Sequence, residues 1–305
     1  MSKIFIDTEF LEGTQKRRIL GIPLWNTAPT IDLISIGLVD EDGREYYGIS
    51  REFNLREAWN RFDYDRGSGD ARNLPPRKVY WIRNNVLLPI YNWFVEKEEK
   101  ENARANLFGT SITSGYGEAF SYSNLEGYLK LYGKSRSQIK YDIETFLCPG
   151  IVAVNDLLGA LTWEDGYKDY LRKNPPHFHG YFSDYDWVVF CWIFGTMNEK
   201  PDPFPFYCRD MKQTMDEILE KLQWFHGRDI WSNTRKVGED DLQEGDYLAT
   251  LEEKVEKFQK HPLYPPQINE HSAIADARFQ KQLYYFLEKV KSGEINPDYR
   301  YHINQ

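Results

Sequence analysis

KIFIDTEF, residues 3–10, is the stretch whose reading decides the fold. Lys3-Ile4-Phe5-Ile6 is a short apolar run, and it ends in Asp7-Thr8-Glu9. That is the pattern of a buried strand with a polar end. Side chains two residues apart on a strand leave the same face, so Asp7 and Glu9 stand together. Adjacent anions repel unless a cation sits between them, and hard oxygen ligands suit Mg²⁺ or Mn²⁺. A second triplet of the same form, Asp142-Ile143-Glu144, reads differently. Ile139, Ile143, Phe146 and Leu147 mark an amphipathic helix there. A two-residue step on a helix turns about 200°, so those carboxylates diverge.

Outward from the first strand, TIDLISIGLVD (30–40) and REYYGIS (44–50) flank Asp42-Gly43 and form a hairpin pattern. Three adjacent strands are expected, over 3–8, 31–39 and 44–50. Residues 11–29 hold Gly13, Gly21, Pro23 and Pro29 and read as an irregular connection. A helix follows with Ile82, Val86, Ile90, Trp93 and Phe94 on one stripe, and Pro89 should kink it. Its tail, EKEEKE at 96–101, reads as a solvated face, and 109–123 reads as loop. Residues 177–182 read as a strand, 184–197 as a buried helix and 226–247 as a polar loop insertion. The last element is a helix over 273–291, striped by Phe279, Leu283, Phe286, Leu287 and Val290. Strands first, then alternating helix and strand, predict an α/β fold with a mixed sheet flanked by helices.

Composition excludes several classes. Of 305 residues, 41% are hydrophobic and 16% aromatic, which does not suit a disordered chain. No apolar stretch approaches the roughly 18 residues that span a bilayer. The three cysteines, Cys148, Cys191 and Cys208, lie far apart and suggest neither a zinc site nor a disulfide framework. Met1-Ser2-Lys3 runs straight into the first strand, so a cytoplasmic protein without a signal peptide is expected. A net charge of −9 argues against broad binding to nucleic acid, though not against an enzyme that meets a polyanion at one metal-loaded cleft.

Two more segments carry acidic groups at element ends. His271-Ser272-Ala273-Ile274-Ala275-Asp276-Ala277 puts an imidazole just before a helix and a carboxylate in its first turn. The small residues around them allow the helix start to pack close to a sheet. Ser183-Asp184-Tyr185-Asp186 opens the helix that follows a strand. One aspartate can cap that helix, and Asp186 shares its buried stripe. His179 and Asp184 repeat the spacing of His271 and Asp276, but a five-residue step on a strand puts them on opposite faces.

The order DxE, D, HxxxxD resembles the DEDD exonucleases of the histidine subtype, which share an RNase H-like fold. Within that family the chain is similar to polyadenylate-specific 3′→5′ exoribonucleases. The resemblance rests on FIDTEF, TIDLISIGLVDEDGREYYGISREF, WIRNNVLLPI, KSRSQIKYDIETFL, GYFSDYDWVVFCWIFG, FYCRDMKQ and HSAIADA, in the family's order. It implies that Asp7, Glu9, Asp186 and Asp276 hold two ions, Mg²⁺ or Mn²⁺, with His271 as general base. It implies single-stranded RNA as substrate, adenylate-rich RNA included, and a homodimer. Single-stranded DNA or short oligonucleotides would suit the same metal chemistry, and a noncatalytic nucleic-acid-binding module is a reading from another class. Thr8, Glu9 and Phe10 are expected to meet the substrate, Phe10 by stacking on the terminal base. Arg83, Lys134, Arg136 and Arg209 are candidates to steer the strand. The chain reads as a single exonuclease domain over 1–305, longer than the family pattern, with insertions at about 11–29, 60–77, 95–133, 150–176 and 216–262.

Overall fold

The computed structural model describes residues 2–19, 22–65, 76–107, 119–148, 163–219 and 258–296. Strands β1 (Ser2–Ile19), β2 (Ile22–Asp40) and β3 (Glu45–Ile49) form an antiparallel meander. Next come α1 (Leu55–Asn60), a small ribbon of β4 (Asp63–Asp65) and β5 (Arg77–Val79), and α2 (Leu88–Leu107). Then follow α3 (Tyr122–Tyr132), α4 (Arg136–Leu147) and α5 (Trp163–Lys173). The chain returns as β6 (Pro176–Gly180), α6 (Asp184–Phe194), β7 (Arg209–Asp210) and a helix over 211–219. The last element is α7 (Ala273–Ser292). The main sheet has the order β3-β2-β1-β6-β7, with β6 parallel to β1 and β7 parallel to β6. This is a mixed α/β sheet with helices on both faces, consistent with an RNase H-like fold.

Alternation along β1 sorts the core. Ile4 and Ile6 join Ile139, Ile143, Phe178, Phe190 and Ile193 on the side of α4 and α6. Phe5 points the other way, to Ile274, Ala277, Leu283 and Leu287 of α7 and to Met211 and Met215. A third cluster, with Leu11, Ile34, Ile90, Phe94 and Tyr128, packs the far end of the meander against α2 and α3.

Several expectations change in detail. Residues 11–29 do not form an irregular connection: β1 and β2 run on as a two-stranded ribbon to Ile19 and Ile22. Register shifts at Glu9/Phe10, Gln15/Lys16 and Arg17/Arg18 absorb the irregular sequence. A ribbon leaves each strand one free edge, where prolines such as Pro23 and Pro29 are tolerated. The proline at 89 is accommodated by a π turn over Arg83–Leu87, where the Leu88 N–H donates to the Arg83 carbonyl five residues back. The EKEEKE tail is not wholly solvated, because Glu98 and Glu101 accept hydrogen bonds from the Tyr128 and Tyr132 hydroxyls at 2.5 and 3.1 Å. The loop expected over 109–123 gives way at Ser121, whose hydroxyl caps α3. The insertion expected at 226–247 lies outside the described residues, as does 150–162 of the one expected at 150–176.

The start of α7 rests directly on the sheet. Gly37 of β2 faces the Ala273 carbonyl and the Ile274 amide so closely that a Cβ there would overlap both. Ala273 itself is fully buried. Gly37 pairs across the strand with Asp7. Gly37→Ala should therefore push α7 off the strand that carries Asp7. It should lower stability by about 1–3 kcal/mol, the usual scale of overpacking, and lower divalent-cation affinity as well. Thermal melts with and without Mn²⁺ check this, and a variant with wild-type melting and wild-type Mn²⁺ response would contradict it.

Candidate active site

Parity on β1 decides which acidic groups meet. Asp7 and Glu9 follow Phe5 on the face toward α7, and Thr8 points the opposite way. Asp276 lies in the first turn of α7, brought in by the contact at Gly37. Asp7, Glu9 and Asp276 each offer a carboxylate oxygen, all within 4.8 Å of one another. Asp186 meets β1 from the opposite face, at Thr8. Its Oδ1 accepts from the Thr8 amide at 2.9 Å and from the Thr8 hydroxyl at 2.5 Å. The Thr8 amide, expected to meet the substrate, is thus engaged by Asp186. Asp184, the other aspartate of that segment, is exposed and lies in the first turn of α6, where it complements the helix dipole.

The four carboxylates act on one another. Burial first, then the charges of Asp186, Glu9 and Asp276, hold Asp7 well above the usual carboxylate range. Burial followed by Asp276 and Asp186 pushes Glu9 up to about 8. Burial also raises Asp186, to about 6, against the opposing hydrogen bonds from Thr8. Asp276 is raised by burial and partly offset by its donors. Those donors are the Gln267 amide at 2.8 Å and the His271 backbone N–H at 2.9 Å.

His271 takes a left-handed backbone with φ 65°, just ahead of α7. Its ring meets the indole of Trp81 edge-on, with centroids 4.7 Å apart. Phe10 lies against Tyr185 at 5.7 Å. Glu9, Phe10 and Trp81, with Glu12, Arg61, Asp63 and Ile82, line an open cleft of about 370 Å³. The candidate steering groups stand differently. Arg83 donates to the Trp59 carbonyl at 2.7 and 2.5 Å and lies over the Tyr80 ring, so it braces the chain. Lys134 pairs with Asp142 at 2.6 Å, which gives the helical Asp-x-Glu triplet a structural role.

Sequence reading missed Gln280, Gln267 and Trp81. The buried Gln280 amide donates to Asp7 Oδ1 at 2.9 Å. Its signal was present, because Gln280 lies one helical turn beyond Asp276 on the same face. Gln267 precedes the motif in a proline-rich loop and carries no such signal. Trp81 reads as one aromatic among many.

Hard oxygen donors gathered this closely, with their protons held tightly in the free protein, fit a divalent cation. The class defined here is thus an α/β sheet carrying an acidic, metal-competent centre beside a histidine. No family model matches the chain. It is distantly related to the 3′-5′ exoribonuclease Rv2179c of Mycobacterium tuberculosis strain H37Rv and to the 3′-5′ exoribonuclease MT2234.1 of strain CDC 1551 / Oshkosh. Each is 24% identical over 215 residues, covering 70% of this chain and 74% of the relative. Among the described residues no helix is long and apolar enough to cross a membrane.

Without metal, Glu9 binds its proton more tightly folded than unfolded. The folded state then holds the extra proton between the ordinary value of 4.5 and about 8. Stability from this group is present at low pH and is lost as pH rises through that window. The melting temperature in EDTA should fall from about pH 5 to about pH 8, and Glu9→Gln should flatten the fall. A divalent cation replaces the protons, so its stabilising effect should grow with pH over the same range. Equal slopes for wild type and Glu9→Gln would contradict the assignment.

Proposed function

We propose that the chain is a metal-dependent 3′→5′ exoribonuclease that releases nucleoside 5′-monophosphates from single-stranded RNA. We take it to be of the DEDD histidine subtype and akin to RNase AS. The observation that carries this reading is the meeting of Asp7 and Glu9 with Asp276, a residue from the far end of the sequence, at a point flanked by His271. Descent from a common ancestor with a mycobacterial 3′-5′ exoribonuclease supports the same chemistry. The sequence motifs lie in one unit built on the main sheet, in keeping with a single exonuclease domain across the chain.

Asp7, Glu9 and Asp276 would hold the first cation, and Asp186, held at Thr8, would complete the set for a second. A cation pair at such a centre supplies positive charge to the attacking and leaving oxygens of a phosphodiester. The protein residues do the rest. Gln280 fixes the Asp7 carboxylate through one oxygen, and Gln267 with the His271 backbone N–H fixes both oxygens of Asp276. Thr8 fixes Asp186 in the same way. His271 takes a proton from the attacking water on an imidazole nitrogen and so serves as the general base. Its position is set at two points, by its backbone N–H on Asp276 and by its ring edge on Trp81. The water oxygen bonds to phosphorus as the bond to the 3′ oxygen of the preceding nucleotide breaks. Phe10, at the cleft edge, offers a ring for the terminal base, a contact worth about 1–3 kcal/mol.

His271→Ala should lower turnover by about 10² to 10⁴-fold and leave Mn²⁺ binding in place. Asp7→Asn should abolish both. The assay is release of 5′-monophosphates from 3′-labelled RNA, poly(A) and mixed sequence, beside matched DNA, with Mn²⁺ or EDTA. Wild-type turnover by His271→Ala, or metal-independent turnover, would contradict the mechanism. Faster release from DNA than from RNA would change the substrate class.

A further inference from the structure

The cleft beside the acidic centre has a chemical character of its own. It shares Glu9 with the carboxylate cluster, so whatever enters it is joined to the group held at that cluster. Two of its walls are aromatic: Phe10, backed by Tyr185, and Trp81, which is 42% exposed and backed by the His271 ring. Its size of about 370 Å³ falls within the range of small-ligand sites. Flat aromatic walls suit a planar ring.

The polar lining away from the centre comes from two exposed carboxylates, Glu12 on the extended β1–β2 ribbon and Asp63 on β4. The one cation in the lining, Arg61, is held by Glu57 at 2.7 Å and is already neutralised. The cleft beyond Glu9 therefore presents acceptors and negative charge. Such a surface repels a phosphate and attracts the electropositive edge of a ring. Nucleobases differ in this respect. Adenine, cytosine and guanine carry an exocyclic amino group, whereas uracil shows two carbonyls on either side of its single N–H.

We propose that this cleft takes the 3′-terminal base and that Glu12 and Asp63 set its specificity. They accept hydrogen bonds from an exocyclic amino group, so chains ending in adenine, cytosine or guanine are shortened faster than chains ending in uracil. This rests on the exoribonuclease reading and adds to it the residues that read the base. Both carboxylates lie on elements outside the acidic motifs, on the ribbon extension and the small β4–β5 ribbon. Base choice can therefore vary in this chain without change to the metal centre.

The test uses the full chain, Mn²⁺ and RNA oligomers identical except for the 3′-terminal base. First-nucleotide release from the wild type should be slower for uracil by on the order of tenfold, the scale of one base-edge contact. In the double variant Glu12→Ala/Asp63→Ala, that ranking should collapse. Both positions are exposed, and a melting curve confirms that the variant folds. Equal release of all four bases by the wild type overturns the proposal, as does an unchanged ranking in the variant. A changed RNA-to-DNA ratio with the base ranking intact assigns the carboxylates to the ribose and also overturns it. Absence of turnover on every end is a different failure, that of the exoribonuclease reading itself.

Discussion

The close approach of α7 to the sheet at Gly37 is the contact on which the rest depends. A strand interior loses stability when it carries glycine, which offers no side chain to pack. Here the missing side chain lets a helix start sit on the backbone of β2, directly beside the stretch of β1 that carries Asp7 and Glu9. Asp276 and Gln280, one turn apart on α7, then both reach the carboxylates of β1. Ala273, buried against Gly37, is the matching small residue on the helix. The His271 backbone is drawn into the same contact through its hydrogen bond to Asp276.

That geometry has an electrostatic consequence. Partly buried carboxylates packed together favour their neutral forms, which is why Asp7, Glu9, Asp186 and Asp276 all hold their protons more tightly than free side chains do. The free protein is arranged at some cost to its stability above neutral pH. A cation removes that cost by replacing protons with a charge that all the groups share. Gln280, Gln267 and Thr8 hold the carboxylates in place, so the site need not reorganise when a cation enters. Backbone positions that serve the site, such as the left-handed His271, are held by the same contacts.

The sequence shows the sheet and the site more clearly than their edges. Apolar runs rich in β-branched residues mark β1 and β2, and apolar stripes of helical spacing mark α4 and α7. The helical triplet at 142–144 was separable from the strand triplet at 7–9 on periodicity alone, and Lys134 now accounts for the former. The grouping of Asp186 with the others was only half visible. Motif order put it in the set, but the parity of β1 puts it on the Thr8 side of the strand. The ribbon over 11–29 was hidden because its glycines and prolines signal loops, while pairing across strands is a tertiary property. Arg83 looked like a free cation until Trp59 and Tyr80 came round it. Gln267 and Trp81 lie outside the acidic motifs, and only the folded chain brings them to the centre.

Diffraction from crystals soaked in MnCl₂, measured at a wavelength where manganese scatters anomalously, tests the central claim most directly. The account places an anomalous peak within coordinating distance of Asp7, Glu9 and Asp276, and a second near Asp186 when a nucleoside monophosphate is present. Peaks elsewhere on the molecule, or none at saturating manganese with those three side chains splayed apart, would contradict it.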